Sequence, residues 1–202
     1  MAKKIAIDLN DVIRDYTGQF IKYYTKHIDP DCEISSENVS DFDFYNVFDF
    51  ESRDAYQEFK YVDYAYEIFG MAEPMDKMLP YRLNDWLQNT LRDLDEENIP
   101  EVMFVSPFEA NLTIQATLFF LSKQSTRVRE IYFPVDSATI WDKCDILITA
   151  NPNLLKNAPA GKTPIKIEAG YNKDVECEFT FKSMFDVIQD KEETIIKLLE
   201  ND

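Results

Sequence analysis

KKIAIDLNDVIRDY, residues Lys3 to Tyr16, decides how the chain folds. Ile5-Ala6-Ile7 is a short apolar run of the kind that forms a strand covered on both faces, and it stops abruptly at Asp8-Leu9-Asn10-Asp11. A buried strand ending in a carboxylate delivers that group to the carboxyl edge of a parallel sheet, where open α/β folds bind ligands. Asn10 is the odd residue. A second carboxylate there would make chemical sense, whereas an amide neither gives up nor takes a proton near neutral pH.

Outward from this strand, apolar runs bounded by polar or turn residues recur at Val102 to Ser106, Glu130 to Phe133, Ile146 to Thr149 and Ile165 to Glu168. Each is short enough for a buried parallel strand, so the reading expects a sheet of five. Helical periodicity fills the gaps. Leu83, Trp86, Leu87, Leu91 and Leu94 recur at three- and four-residue steps, forming one stripe that ends near Asn98-Ile99-Pro100. Leu112 to Lys123 repeats the pattern, and Met184 to Leu199 reads as a closing helix. Strands alternating with helices predict a three-layer α/β domain with a central parallel sheet.

One segment breaks the alternation. From about Thr17 to Met78 the chain is crowded with aromatics and acids (DFDFYNVFDFESRDAYQEFKYVDYAYEIFG) and holds no strand-like run. It predicts a mostly helical cap over 17–78, with the α/β core formed by 1–16 and 79–202. Its rings either pack the cap internally or close over a planar ligand.

Composition narrows the function. At 202 residues and 45% hydrophobic, the chain can bury one substantial core. With 38 acidic against 21 basic residues and a formal charge of -17, it is poorly suited to grip nucleic-acid phosphates or an anionic membrane. No run approaches the roughly 18 apolar residues needed to span a bilayer, and no leader-like segment opens the sequence, so the expectation is a cytoplasmic protein. Cys32, Cys144 and Cys177 are widely spaced and lack a CxxC pair, which points away from disulfides and zinc. A single histidine, His27, leaves little room for His-based catalysis, and with four glycines there is no Gly-rich phosphate loop.

Read together, the strand tips place Asp8, then Ser106-Pro107-Phe108-Glu109, then Thr149-Ala150-Asn151-Pro152, along one edge. An Asp nucleophile with a hydroxyl and amide donors beside it is an arrangement for handling phosphate. In this order the residues resemble the haloacid dehalogenase (HAD) superfamily, and within it the 5'(3')-deoxyribonucleotidase-like branch with a small helical cap after the first motif. Asp8-Leu9-Asn10-Asp11-Val12 stands at the first motif, Val102 to Ser106 at the second, and Asp145 to Thr149 followed by Ala150-Asn151-Pro152 at the fourth; Tyr171-Asn172 resembles a short motif after the last strand.

The resemblance implies a Rossmann-like HAD fold in which Asp8 is the nucleophile, position 10 the general acid/base, Ser106 and Pro107 the phosphate site, and Asp8 with positions 10 and 149 the ligands of Mg²⁺. The departures are several. Asn10 replaces the acid/base, Thr149 and Ala150 replace metal carboxylates, and no lysine stands in the third-motif segment Pro134 to Thr139; Lys143 comes two or three residues late. On an extended backbone Asp11 points away from Asp8. Losing a positioned acid/base costs ~10²–10⁴-fold in rate, and losing metal ligands adds to it. The leading expectation is therefore a HAD-like pseudoenzyme with a vestigial Asp8, binding a phosphorylated small molecule or a protein partner and needing no cofactor. Against it stand an active Mg²⁺-dependent 5'-nucleotidase-like phosphatase and a regulatory protein whose acidic cap meets a partner.

Overall fold

The structure is a computed structural model and describes residues 3–91, 100–107, 109, 111–190 and 193–200. Among these residues six parallel strands form one sheet: β1 (Lys4–Asp8), β2 (Glu101–Val105), β3 (Glu130–Tyr132), β4 (Ile146–Thr149), β5 (Thr163–Ile167) and β6 (Phe179–Phe181), in the order β3-β2-β1-β4-β5-β6. β1 lies at the centre, with Asp8 level with Val105 of β2 and Ile7 level with Ile148 of β4. Its alternate residues feed two layers. Ile5 and Ile7 join Phe104, Ile146, Ile148, Ile165 and Ile167 on one face, under Leu83, Phe120, Met184 and Ile195. Ala6 joins Met103, Val105 and Leu147 on the other, under Ile140, Trp141 and Leu154. Each fully buried Ile contributes ~1.5–3 kcal/mol relative to an exposed one, so the central strand holds both layers to the sheet.

The sixth strand corrects the expected five. Phe179-Thr180-Phe181 extends the sheet beyond β5, with Phe179 and Phe181 packed on the main core. Three residues are too few to show a strand period in the sequence; pairing with β5 supplies the order. The closing helix also differs. It is two helices, Met184–Ile188 and Thr194–Glu200, and Glu193 between them takes φ 54°, outside the right-handed region. The stripe that begins at Leu83 forms a helix over Leu79–Asp85 continued by a π-helical turn over Trp86–Thr90; Leu94, Asn98 and Ile99 lie outside the described residues.

The aromatic segment makes its own cluster. Helix α1 (Tyr16–His27) is capped by the Asp15 carboxylate, which accepts from the Gly18 amide. Phe20 of α1 sits at 5.0 Å from the Phe44 ring, 5.1 Å from Phe48 and 5.5 Å from Phe59, in edge-on and tilted pairs. Helix α2 (Arg53–Glu58), capped by Ser52, runs into a π-helical turn over Phe59–Asp63, and a second such turn spans Tyr66–Gly70. Between Ile28 and Ser52 the chain holds only two single 3₁₀ turns, Ser36–Asn38 and Phe44–Asn46, so this half is less helical than expected. Short polar side chains there bond their own backbone, as where Asp41 accepts from Asp43 N and Asp43 from Tyr45 N.

The segment leaves and rejoins the sheet layer at one neck, where Asp15 N donates to Glu73 O and Met75 N to Ile13 O, both at 2.9 Å. A second attachment lies at Gly170. A Cβ there would stand 2.6 Å from Val39 O and 2.7 Å from Ser36 O, so only glycine lets the loop after β5 approach the segment.

Candidate functional site

Asp8, Ser106 and Thr149 converge at the carboxyl ends of β1, β2 and β4, as the register of neighbouring strands requires. The Thr149 hydroxyl donates to Asp8 Oδ2 at 2.7 Å and accepts from the Asn151 amide at 3.0 Å. Asn10 N approaches Asp8 Oδ1 at 3.4 Å. Burial pushes the Asp8 carboxyl up to about 7; the Thr149 and Asn10 hydrogen bonds and the more distant Arg14 charge only partly offset it.

Sequence reasoning missed Arg14. This residue has 0% exposure, and its guanidinium sits behind the strand tips. Nε and Nη2 both donate to Asn10 Oδ1, Nη1 donates to Phe69 O at 2.9 Å and to the Thr117 hydroxyl, and Nη2 reaches Glu109 Oε1 at 2.9 Å. Glu109 Oε1 also accepts from Ser106 Oγ and Thr117 Oγ1, each at 2.7 Å. The amide at position 10 and the hydroxyl at position 106 are thereby committed to an internal ion pair. Ser106 is fully buried and points its hydroxyl into this network; Pro107 lines the cleft but has no N–H to offer a ligand. The signal available in the sequence was an arginine directly following Val12-Ile13, a long cation in an apolar stretch that must find a partner when buried.

Asp11 corrects a second expectation. Its φ is 57°, so the backbone turns instead of running extended, and Asp11 lines the same cleft as Asp8. Its carboxylate is caged: Thr17 N donates at 2.8 Å, Thr17 Oγ1 at 2.6 Å and Tyr171 Oη at 2.8 Å. Burial raises its carboxyl and these donors oppose the rise. Of the pair Tyr171-Asn172, Tyr171 lines the cleft and Asn172 is buried behind it. Asn172 Nδ2 ties Ala150 O to Ile167 O, each at 2.8 Å, holding the β4 and β5 ends together.

Between these strand tips and the aromatic segment lies a cavity of about 370 Å³. Asp8, Asn10, Asp11, Asn151 and Tyr171 line it from below; Phe44, Lys60, Tyr61 and Phe69 are among those lining it from above. Lys60 is the other residue that sequence reasoning missed. Its ammonium stands 4.7 Å from the Tyr61 ring centroid, 5.3 Å from Tyr16 and 5.7 Å from Tyr56. Burial works against its charge, but the tyrosines around it hold its pKa well above the ordinary lysine value.

A Mg²⁺ site needs several oxygen ligands, largely anionic. Here Asn10 Oδ1 already takes two N–H groups of a cation, Thr149 donates its proton to Asp8, and Ala150 has no oxygen in its side chain. Among the described residues no three His, Cys, Asp or Glu side chains are placed to hold a metal ion. This donor set does not fit Mg²⁺. Lys143 does not supply the third-motif cation: it precedes β4 and lines a separate hollow with Lys4 and Glu101 at the opposite, amino end of the strands.

No protein-family model and no curated protein matches the sequence. Among solved structures, one described as a haloacid dehalogenase-like hydrolase, from Burkholderia xenovorans LB400, superposes with a TM-score of 0.52 at 11% identity, over 96% of this chain and 99% of that one. A second, described as a dehalogenase, gives 0.43 at 12% identity, over 99% and 98%. The fold of the first, a Rossmann-like α/β HAD architecture, is the fold of this chain. Among the described residues no helix is long and apolar enough to cross a membrane.

Proposed function

We propose that this HAD-fold protein has lost efficient phosphohydrolase activity and binds a small anionic molecule in the cleft between its sheet and the cap, taken as residues 17–78. The observation that carries this reading is the Arg14–Glu109 pair. It occupies the two places where the HAD resemblance puts chemistry, with Arg14 clamping Asn10 and Glu109 taking the Ser106 hydroxyl. The Arg14 guanidinium held against Asn10 repels a dication, and Asn10 itself cannot protonate a leaving group. The ligand class is a phosphorylated or otherwise anionic small molecule, a nucleotide included; the acidic composition argues against nucleic acid as a partner.

The alternative, a Mg²⁺-dependent 5'-nucleotidase-like phosphatase with Asp8 as nucleophile, is favoured by one feature. Asp8 lines the cleft and its carboxyl titrates at about 7, so a large share is ionised at neutral pH. Assay with nucleoside monophosphates and an aryl phosphate in millimolar Mg²⁺ separates the two. The expected rate is near background, and Mg²⁺ leaves the melting temperature unchanged. Robust turnover abolished by Asp8→Asn, with a Mg²⁺-dependent rise in melting temperature, would establish the phosphatase instead.

A further inference from the structure

The cleft holds donors that nothing in the protein satisfies. Asn151 is 2% exposed and Tyr16 7% exposed, and both line the cavity. Asn151 Oδ1 accepts from Asn153 N at 2.9 Å, which fixes the orientation of the amide and leaves Nδ2 as the free end; that nitrogen has no partner. The Tyr16 hydroxyl has none either, although the Lys60 ammonium lies beside its ring. Lys60 is half-buried and its Nζ donates only a long 3.5 Å hydrogen bond to the Tyr56 hydroxyl; no carboxylate among the described residues stands within ion-pair distance of it. Leaving a buried donor unmade costs ~1–3 kcal/mol, and a buried cation without an anion costs more. Two unpartnered donors and a cation without a counter-ion on one cavity describe the complement of a ligand.

The other charges around the cavity are already answered. Asp43 and Arg53 pair at 2.8 Å where the cleft opens to solvent, Asp11 takes three donors, and Asp8 takes Thr149 and Asn10. The negative groups therefore gather at the strand tips and the unanswered positive one hangs from the cap. Rings of Phe44, Tyr61 and Phe69 wall the space between them, and its volume is that of a small organic ligand.

We infer that the cleft binds a small aromatic acid in an orientation set by the cap: the anionic group against Lys60 and the Tyr16 hydroxyl, the ring among Phe44, Tyr61 and Phe69, and an acceptor toward Asn151 Nδ2. This rests on the reading of the cleft as a binding site and deepens it, because the anion is held at the cap and not at the Asp8–Ser106 edge. Aryl carboxylates and aryl phosphates share the required oxygens.

The test uses the full chain and calorimetric titration with benzoate, phenyl phosphate, benzyl alcohol and inorganic phosphate, each also read by thermal shift. Benzoate has no scissile phosphoester, so its binding is independent of turnover; hydrolysis of phenyl phosphate would sink the loss of activity without touching this inference. Binding of one or both aryl anions is expected, at least ~10-fold tighter than benzyl alcohol, with inorganic phosphate weak. Phenyl phosphate alone would narrow the class to phosphoesters, benzoate alone to carboxylates. Lys60→Met should lower the affinity at least ~10-fold, Lys60→Arg should restore part of it, and Lys143→Met, at the far edge of the sheet, should change nothing. Unchanged affinity in Lys60→Met, inorganic phosphate binding as tightly as the aryl anions, or no binding of any probe at millimolar concentration would overturn the inference.

Discussion

The two ends of the cleft treat charge in opposite ways. At the strand tips, Arg14 meets Glu109, Asn10 and Thr117, and Asp11 meets Thr17 and Tyr171. On the side of the aromatic segment, Lys60 is surrounded by rings with only the Tyr56 hydroxyl, at 3.5 Å, as a hydrogen-bond partner, and the Tyr16 hydroxyl is unpaired. A buried charge that meets a counter-charge and hydrogen bonds stabilises a fold, whereas one without a counter-charge costs free energy that a bound anion would offset. The difference relocates attention from Asp8, where the HAD resemblance points, to Lys60.

Breaking the ion-paired end should have the largest effect. Arg14→Met strands the Glu109 carboxylate in the interior, where Oε2 already lacks a partner. The expected loss is ~3–5 kcal/mol in urea unfolding, whereas Arg14→Met with Glu109→Leu should recover much of it, since apolar replacement of a whole buried pair is often neutral or better. A loss in Arg14→Met below ~1 kcal/mol would mean that the pair is not closed off from water.

The pH dependence sharpens the contrast at Asp8. Burial pushes its carboxyl up to about 7 in the fold from the ordinary 3.8, so the folded protein keeps a proton that the unfolded chain releases between those values. Stability therefore falls as pH rises from about 4 to about 7, by an amount on the order of 4 kcal/mol from this group. Asp8→Asn should flatten that slope; Asp11, raised in the same direction by burial, leaves part of it in place. Unfolding free energies of both proteins at pH 5 and pH 8 measure the change, and equal slopes would contradict the burial of an ionisable Asp8.

The smallest effect is expected at Tyr171. Tyr171→Phe removes one of three donors to Asp11 and should cost ~1–2 kcal/mol, visible as a lower melting temperature near neutral pH. If Asp11 is protonated instead of caged as an anion, the loss shrinks toward the cost of one neutral hydrogen bond.

The central strands and the general alternation of strand and helix were legible because those signals are contiguous: Ile5-Ala6-Ile7, Met103-Phe104-Val105 and Ile146-Leu147-Ile148 each announce burial on both faces within a few residues. The edge strand Phe179–Phe181 was not, since three residues take their order from β5 alone. Asp8 and Thr149 could be placed at one edge once their strands were read as parallel neighbours, as could the absence of carboxylates at positions 10, 149 and 150.

What occupies the space of those missing groups was decided only in three dimensions. Arg14 finds Phe69, Glu109 and Thr117 at separations of 55, 95 and 103 residues, and no local pattern encodes partners so distant. Lys60 reads in the sequence as one more charge in an aromatic, acidic segment; packing of Phe20 against Phe44, Phe48 and Phe59 turns it inward over the cleft. Sequence periodicity determines which residues leave water, because burial follows local apolar spacing. Which buried charges are paired and which are left waiting depends on where distant side chains meet, and that is a property of the tertiary structure alone.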